Sequence, residues 1–432
     1  MFKLNKNHTT AKTEVLAGVT TFLTMAYIVI INPIILADAG VPFQAVFMAT
    51  IISAVIGTLW MGLAANYPIA IAPGMGLNAY FTYSVVLAND DITYEIAFAA
   101  VFFAGLLFVL LSLTTLREKL IEAIPDNLKY GISAGIGLFI AFIGLRLTNI
   151  IVADPNNLVR LGDLHDSSVI LTLIGLAATL ILMVLRVNGA LFIGMILTSI
   201  IAYFTGDLSF NNGFVAAPSM PELLITNPIS AIGDVFSHGL YAVVFSFLLV
   251  TIFDTTGTMV GVAQQAGLMK GKSLPRARQA LLADSMATTV GAMFGTSPTT
   301  AYIESSSGVA AGGRTGLTSV TVAGLFVLAA FFSPLVGSLS GIAAITAPAL
   351  IIVGSLMMGS MAKINWNDLD EAFPAFIIIL SMPLTSSIAT GIAFGFISYP
   401  ILKVVKGQWR IVHPLVYVFA LLFLIQLIYL PH

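Results

Sequence analysis

Long uninterrupted apolar segments recur along the chain, and they limit how it can fold. A helix that crosses a bilayer needs about 20 mostly apolar residues, whereas strands of a membrane barrel show alternating segments of about 10 residues. The segments here are continuous and rich in Leu, Ile, Ala and Phe, which predicts an all-α polytopic membrane protein. About fourteen transmembrane segments are expected, at residues 15–36, 43–64, 68–87, 96–115, 128–151, 168–185, 189–204, 239–260, 279–295, 296–311, 315–336, 341–361, 372–387 and 388–404.

The composition excludes most other classes of protein. Of the 432 residues, 58% are hydrophobic and only 9% are charged, whereas an ordinary soluble domain carries about 25% charged residues. A soluble enzyme, a disordered scaffold and a nucleic-acid binder are therefore not expected. The chain has no cysteine and no Walker-type lysine motif, so we expect no cofactor, no metal site and no ATP-driven pump. Transport coupled to an ion gradient remains.

Basic residues in the short loops predict the orientation, because such residues stay on the cytoplasmic side. With fourteen segments, nearly all of them fall on one side, and Arg160 is the exception. The N-terminus is therefore predicted to be cytoplasmic, in a multi-pass protein of the cell membrane. Residues 411–430 form one further apolar segment, which fits an interfacial helix, a re-entrant piece or a fifteenth span. The basic residues on the predicted cytoplasmic side are Lys3, Lys6, Lys12, Arg117, Lys119, Lys129, Arg186, Lys270, Lys272, Arg276, Arg278, Arg314, Lys363, Lys403, Lys406 and Arg410.

Two halves of similar size flank a long loop at 205–238, and they share local patterns. Residues 101–106 in the fourth segment resemble residues 320–325 in the eleventh. The third and tenth segments are both interrupted by Pro and Gly, and a polar side chain follows the proline, Asn78 in one and Glu304 in the other. Seven segments per half is an odd number, so a repeat would be inverted in the membrane. Interrupted helices at matching positions of inverted repeats indicate a transporter's midplane site.

Asp254 and Glu304 lie deep in predicted segments among Gly, Ser and Thr residues. A carboxylate can accept N–H donors from a flat heterocycle, and burial favours its neutral form, which suits a proton-coupled cycle. Both are therefore candidates for substrate binding and proton coupling, and the alternative is an acid that only braces the bundle. For Asn78 a plain helix–helix hydrogen bond is an equal alternative. Asp284 is interpreted as structural, paired with the arginines at 276 and 278 near the cytoplasmic face.

Four motifs together resemble a known family. They are Gly18–Pro33, Ala72–Phe81, Phe253–Thr258 and Gly295–Gly308. With them the chain resembles the nucleobase–cation symporter-2 superfamily over nearly its whole length. The similarity is to the AzgA-like branch of adenine, guanine and hypoxanthine permeases, and within it to the bacterial hypoxanthine/guanine type.

The resemblance implies a uracil-permease-like fold of fourteen segments in two inverted seven-helix repeats. Segments three and ten would each begin as a short extended strand. A core domain would hold the substrate, and a gate domain would form the contact of a homodimer. The implied boundaries are 1–116 for the first half of the core, 117–210 for the first half of the gate, 211–338 for the loop and second half of the core, and 339–432 for the second half of the gate with the extra C-terminal segment.

The resemblance also implies the site and the activity. The acids of segments eight and ten match Asp254 and Glu304, and the other implied substrate-binding residues are Asn78, Ile303, Ser305 and Thr258. Wider relatives carry a second acid where Thr258 stands, which leaves open which group carries the coupled proton. The expected function is import of hypoxanthine, guanine or adenine by proton symport with elevator-type alternating access. Alternatives are a same-fold carrier of anions or other nucleobases, a passive channel, or a binding or sensing protein.

Overall fold

The computed structural model describes residue 2 and residues 4–89, 91–114, 123–210, 213–269 and 274–429. Some predicted features lie outside these residues: Lys3, Arg117, Lys119, Lys270, Lys272 and the last residue of the segment at 411–430. Among the described residues, nine helices are long and apolar enough to cross a membrane. Each of the other predicted segments also overlaps a helix or a strand–helix unit, but these elements are shorter, broken or more polar.

The described residues of the first half of the chain form eight α-helices. The first span is not continuous, because Ala26 and Tyr27 separate its two helices. The third and fourth helices continue as wider π-helical turns at Met61–Ala65 and Tyr80–Val86. The helices are α1 (Ala11–Met25), α2 (Ile28–Asp38), α3 (Phe43–Trp60), α4 (Met75–Ala79), α5 (Tyr94–Leu113), α6 (Asp126–Leu147), α7 (Ser167–Val184) and α8 (Ala190–Thr205).

In the part of the second half that the structure describes there are ten α-helices and two short 3₁₀ segments, Ala330–Phe332 and Gly359–Lys363. The α-helices are α9 (Pro228–Ser237), α10 (Tyr241–Gln265), α11 (Ala277–Phe294), α12 (Ser305–Ala310), α13 (Gly316–Ala329), α14 (Ser333–Leu339), α15 (Ala343–Met358), α16 (Leu369–Thr385), α17 (Ile388–Val405) and α18 (Pro414–Tyr429).

Two short, fully buried strands pair in the interior of the fold. Strand β1 (Ile71–Pro73) pairs antiparallel with strand β4 (Thr299–Ala301), with Ala72 opposite Thr300. Each strand leads into a short helix, α4 after β1 and α12 after β4. The expectation that segments three and ten begin extended and then turn helical is confirmed.

Threonine side chains satisfy the outer edges of this two-stranded sheet. Within a bilayer, an unpaired backbone group costs several kcal/mol because no water can bond it. Thr58 of α3 donates its hydroxyl to Ile71 O at 2.9 Å and accepts from Ile71 N at 3.0 Å. Thr288 of α11 accepts from Thr299 N at 3.0 Å. The two threonines thereby perform matching tasks for the two strands.

Two elements were not expected in an all-α protein with a long central loop. Strands β2 (Ile151–Asp154) and β3 (Leu158–Leu161) form a hairpin between α6 and α7. Helix α9 lies inside the segment predicted as loop, and the Asn227 side chain caps it by accepting from Ile229 N at 3.0 Å. The Asn227–Pro228 pair is a normal start signal for a helix, so this element was readable from the sequence.

The additional C-terminal segment is helical and packs against the bundle. Phe419 of α18 lies 4.6 Å from Phe245 of α10 and 5.9 Å from Phe396 of α17, measured between ring centroids. Phe423 continues the same contact at 5.6 Å from both rings. Helix α18 therefore joins α10, which carries Asp254, to α17 in the last part of the chain.

Candidate functional site

One face of α10, a membrane-spanning helix, is exposed rather than packed against other helices. Asp254, Gly257, Gly261 and Gln264 are all exposed, and their spacing places them on one side of the helix. A Cβ atom built on either glycine would meet nothing within 4 Å. Because polar groups facing lipid are costly, an exposed stripe of this kind indicates a water-filled cavity. The stripe runs from Asp254 to the C-terminal end of α10.

Glu304 lies where strand β4 turns into α12, and its side chain is half-buried. Its Oε1 accepts a hydrogen bond of 2.5 Å from Tyr27 Oη. Its backbone carbonyl accepts one of 3.4 Å from Thr24 Oγ1. Asp254 is within electrostatic range of this carboxylate and has Thr300 of β4 as a polar neighbour. The structure thus brings the two predicted acids to the same strand–helix junction.

Thr255, the neighbour of Asp254, ties α10 to the central sheet. Its hydroxyl accepts from Ala301 N at 3.2 Å and donates to Asp284 Oδ2 at 2.5 Å. Asp284 is completely buried, and its Oδ1 accepts from Thr299 Oγ1 at 2.6 Å. Its structural role is as expected, but the predicted pairing with Arg276 and Arg278 is wrong. The side chain points into the bundle, whereas the Arg276 guanidinium stacks 5.3 Å from the Tyr67 ring.

The predicted neighbours of the two acids have different environments. Ser305 is buried, and its hydroxyl accepts from Ala70 N at 3.0 Å, so it connects the approach to β1 with the start of α12. Ile303 exposes 56% of its surface beside Glu304. Thr258 is half-buried and lies one helical turn after Asp254 on the same face of α10. Ile303 and Thr258 are therefore accessible to a ligand, whereas the Ser305 hydroxyl is already bonded to the backbone N–H of Ala70.

Asn78 is placed in a buried amide network. Its Oδ1 accepts from Ser297 Oγ, and its Nδ2 has no partner among the described residues. Asn32 of α2 continues the network by donating to Thr50 at 2.6 Å and to Thr296 at 2.8 Å. The sequence offered one signal for this network, an Asn inside an apolar segment.

A large apolar groove lies away from this junction. It has a volume of about 700 Å³, and its lining includes Phe22 and Val29 of the first span, Met195 and Tyr203 of α8, and Leu328 of α13. Nearly all of its surface is apolar, so it suits lipid chains rather than a polar ligand. Among the described residues, no group of three or more His, Asp or Glu is arranged to hold a metal ion.

Two interrupted membrane segments that meet at paired strands, beside an exposed polar helix face, are typical of a secondary transporter. The sequence model of a family described as "Permease family" matches residues 12–394. The chain belongs to this nucleobase–cation symporter-2 family, as the motifs predicted. It is a multi-pass membrane transporter and not an enzyme.

The relatives and the similar solved structures cover most of the chain. A guanine/hypoxanthine permease of Bacillus subtilis, PbuO, is 69% identical over 99% of both chains. The adenine permease AdeP of Escherichia coli is 45% identical over 100% of this chain and 96% of its own. The transmembrane domain of a cyanobacterium bicarbonate transporter, BicA, superimposes with a TM-score of 0.64 at 17% identity, covering 88% of this chain and 96% of that one. That last likeness shows the fold alone.

Proposed function

We propose that this permease imports purine nucleobases, hypoxanthine and guanine first, across the cytoplasmic membrane by proton symport. The observation that carries the proposal is the position of Glu304 and Asp254 at the β1–β4 junction, beside an exposed polar face of α10. Relatives named as guanine/hypoxanthine and adenine permeases support the substrate class.

The two carboxylates suit a purine better than an anion. Each can accept N–H donors at the edge of the base, and backbone amides at the start of α4 would meet its exocyclic oxygen, since those at the start of α12 already donate within their own turn. Two acids at one site would repel bicarbonate or sulfate. A proton on one of them would compensate for burying its charge while the substrate crosses.

In this proposal the fourteen segments form two inverted repeats. The core comprises residues 1–116 and 211–338, and the gate comprises 117–210 and 339–432. The core slides against the gate to alternate access, and the apolar groove lies between the first span of the core and α8 of the gate. The N-terminus is cytoplasmic, and the gate domains of two chains form a homodimer.

The first experiment measures uptake of radiolabelled hypoxanthine in a host without its own purine permeases. Glu304→Ala should abolish uptake while the amount of protein in the membrane stays normal. Glu222→Ala, which removes an acid from the exposed central loop, is the matched control and should transport like wild type. Undiminished uptake by the Glu304 variant would refute the assignment of the site.

The second experiment uses proteoliposomes to separate carriers from channels and to test coupling. Internal unlabelled hypoxanthine should accelerate entry of the labelled base, because a carrier exchanges its substrate and a passive channel does not. An inwardly directed proton gradient should drive accumulation, and a protonophore should remove it. Uptake that ignores the gradient would contradict proton symport, and competition by bicarbonate but not by purines would favour the anion carrier.

A further inference from the structure

The break in the first membrane span lies directly against the proposed purine site. Helix α1 ends at Met25 and α2 begins at Ile28, so Tyr27 belongs to the short connection between them. Its side chain is 1% exposed and donates its hydroxyl to Glu304 Oε1 at 2.5 Å. Thr24, three residues earlier, has its hydroxyl 3.4 Å from the backbone carbonyl of the same glutamate, but its shortest hydrogen bond is to Thr21 O at 2.8 Å. The Tyr27 hydroxyl is therefore the contact by which the end of α1 holds the Glu304 side chain.

The surroundings keep the Tyr27 hydroxyl in this role. The ring of Tyr302 lies 6.5 Å from the Tyr27 ring, and the Tyr302 hydroxyl is engaged elsewhere, donating to Pro73 O at 2.5 Å. A phenol is a dependable donor to a carboxylate because it stays protonated over the physiological pH range. The bond fixes the rotation of the Glu304 carboxyl group. The remaining lone pairs of that group then point away from Tyr27 and can accept another hydrogen bond.

We propose that Tyr27 is a positioning residue for substrate recognition: it orients the Glu304 carboxylate so that its free acceptor edge meets the N–H donor of the purine. This inference rests on the proposed function. Tyr27 acts through Glu304, and its contribution is to pre-organise an acceptor that would otherwise lose rotational freedom on binding.

The test is Tyr27→Phe, which keeps the ring and its packing and removes only the donor. Loss of a hydrogen bond to a charged group that orients the ligand should raise the KM for hypoxanthine about tenfold, with Vmax within about twofold of wild type. The matched control is Tyr83→Phe. Tyr83 donates to Asp38 Oδ2 at 2.6 Å, the same type of bond at a different carboxylate, and its KM should stay unchanged.

The result can be separated from the fate of the proposed function. If the wild-type protein takes up no purine, the proposed function is refuted, and no KM for hypoxanthine can be measured in any variant. If wild type transports and Tyr27→Phe keeps a wild-type KM, the positioning role is refuted while the function stands. A purely structural role would show as less protein in the membrane and a lower melting temperature at unchanged KM, and that outcome also refutes the inference. Stabilisation of the purified protein by hypoxanthine gives a second readout and should shrink in Tyr27→Phe alone.

Discussion

Thr299 Oγ1 donates a 2.6 Å hydrogen bond to Asp284 Oδ1, and this contact joins α11 to strand β4 in the centre of the protein. The other oxygen of the same carboxylate is bonded to Thr255 of α10. One buried acid thus connects two helices and a strand, directly beside the residues that are proposed to bind the substrate. Because a bilayer supplies no water to replace them, such contacts hold the irregular backbone of the site together.

Asp284→Ala should therefore destabilise the protein and impair uptake together. The variant leaves the buried Thr255 hydroxyl without its acceptor, at about 1–3 kcal/mol, while the Thr299 hydroxyl keeps only the longer bond to the Asp284 backbone carbonyl at 3.0 Å. Asp284→Asn should be milder, because one side-chain oxygen remains and the hydroxyls can rotate to accept from the amide. Melting of the detergent-solubilised protein measures the difference. Equal melting temperatures for wild type and Asp284→Ala would contradict the bracing role.

A second prediction concerns a buried ion cluster between α16 and α17. Lys403 Nζ lies 2.6 Å from Asp370 Oδ2 and 2.5 Å from Glu371 Oε1, and Lys403 is 5% exposed. Lys403→Ala should cost about 1–3 kcal/mol, because Glu371 loses its cation while Asp370 keeps Lys406 at 2.6 Å. Lys129→Ala is the control. In its ion pair the partner Asp126 is 75% exposed, so the pair should contribute about 0–1 kcal/mol. The two melting temperatures should differ clearly, and a similar small loss in both would contradict the prediction.

The broken segments and the two acids were predictable because they stand out in an apolar chain. Pro73 and Pro298 interrupt continuous segments, and Asp254 and Glu304 are charges where charges are costly. Their local sequence alone marks them. The resemblance to a family then supplied the expectation of short strands, which residue patterns by themselves left open.

The supporting residues were not predictable, because their role depends on partners far away in sequence. Thr58 and Thr288 look like ordinary small polar residues of membrane helices. Only the position of the strands shows that they bond the backbone of β1 and β4. Tyr27 gains its role from Glu304, on another element. The direction of Asp284 depends on how α11 is rotated, which a single sequence does not determine.

The aromatic contact of α18 gives a third prediction. Phe419→Ala should lower the melting temperature, because its ring packs between Phe245 and Phe396. Packing is the main term, since lipid already removes the ring from water. Leu421→Ala, which alters a side chain 58% exposed on the same helix, should leave stability unchanged. The same loss in both variants would mean that α18 contributes only its helix and not this cluster.

The absence of cysteine from the chain allows a direct test of the open face of α10. Gly261→Cys introduces a unique thiol into space that is empty within 4 Å, and a membrane-impermeant maleimide should label it in inside-out vesicles. Ala263→Cys, two residues away and fully buried, should stay unlabelled. Gly257→Cys lies close to one turn from Asp254, and saturating hypoxanthine should slow its labelling.

Labelling of Gly261→Cys only in right-side-out vesicles would reverse the proposed orientation, and equal labelling of Gly261→Cys and Ala263→Cys would remove the evidence for an aqueous path. A labelling rate at Gly257→Cys that hypoxanthine leaves unchanged would place the purine away from α10, and Glu304 would then have to bind it without Asp254.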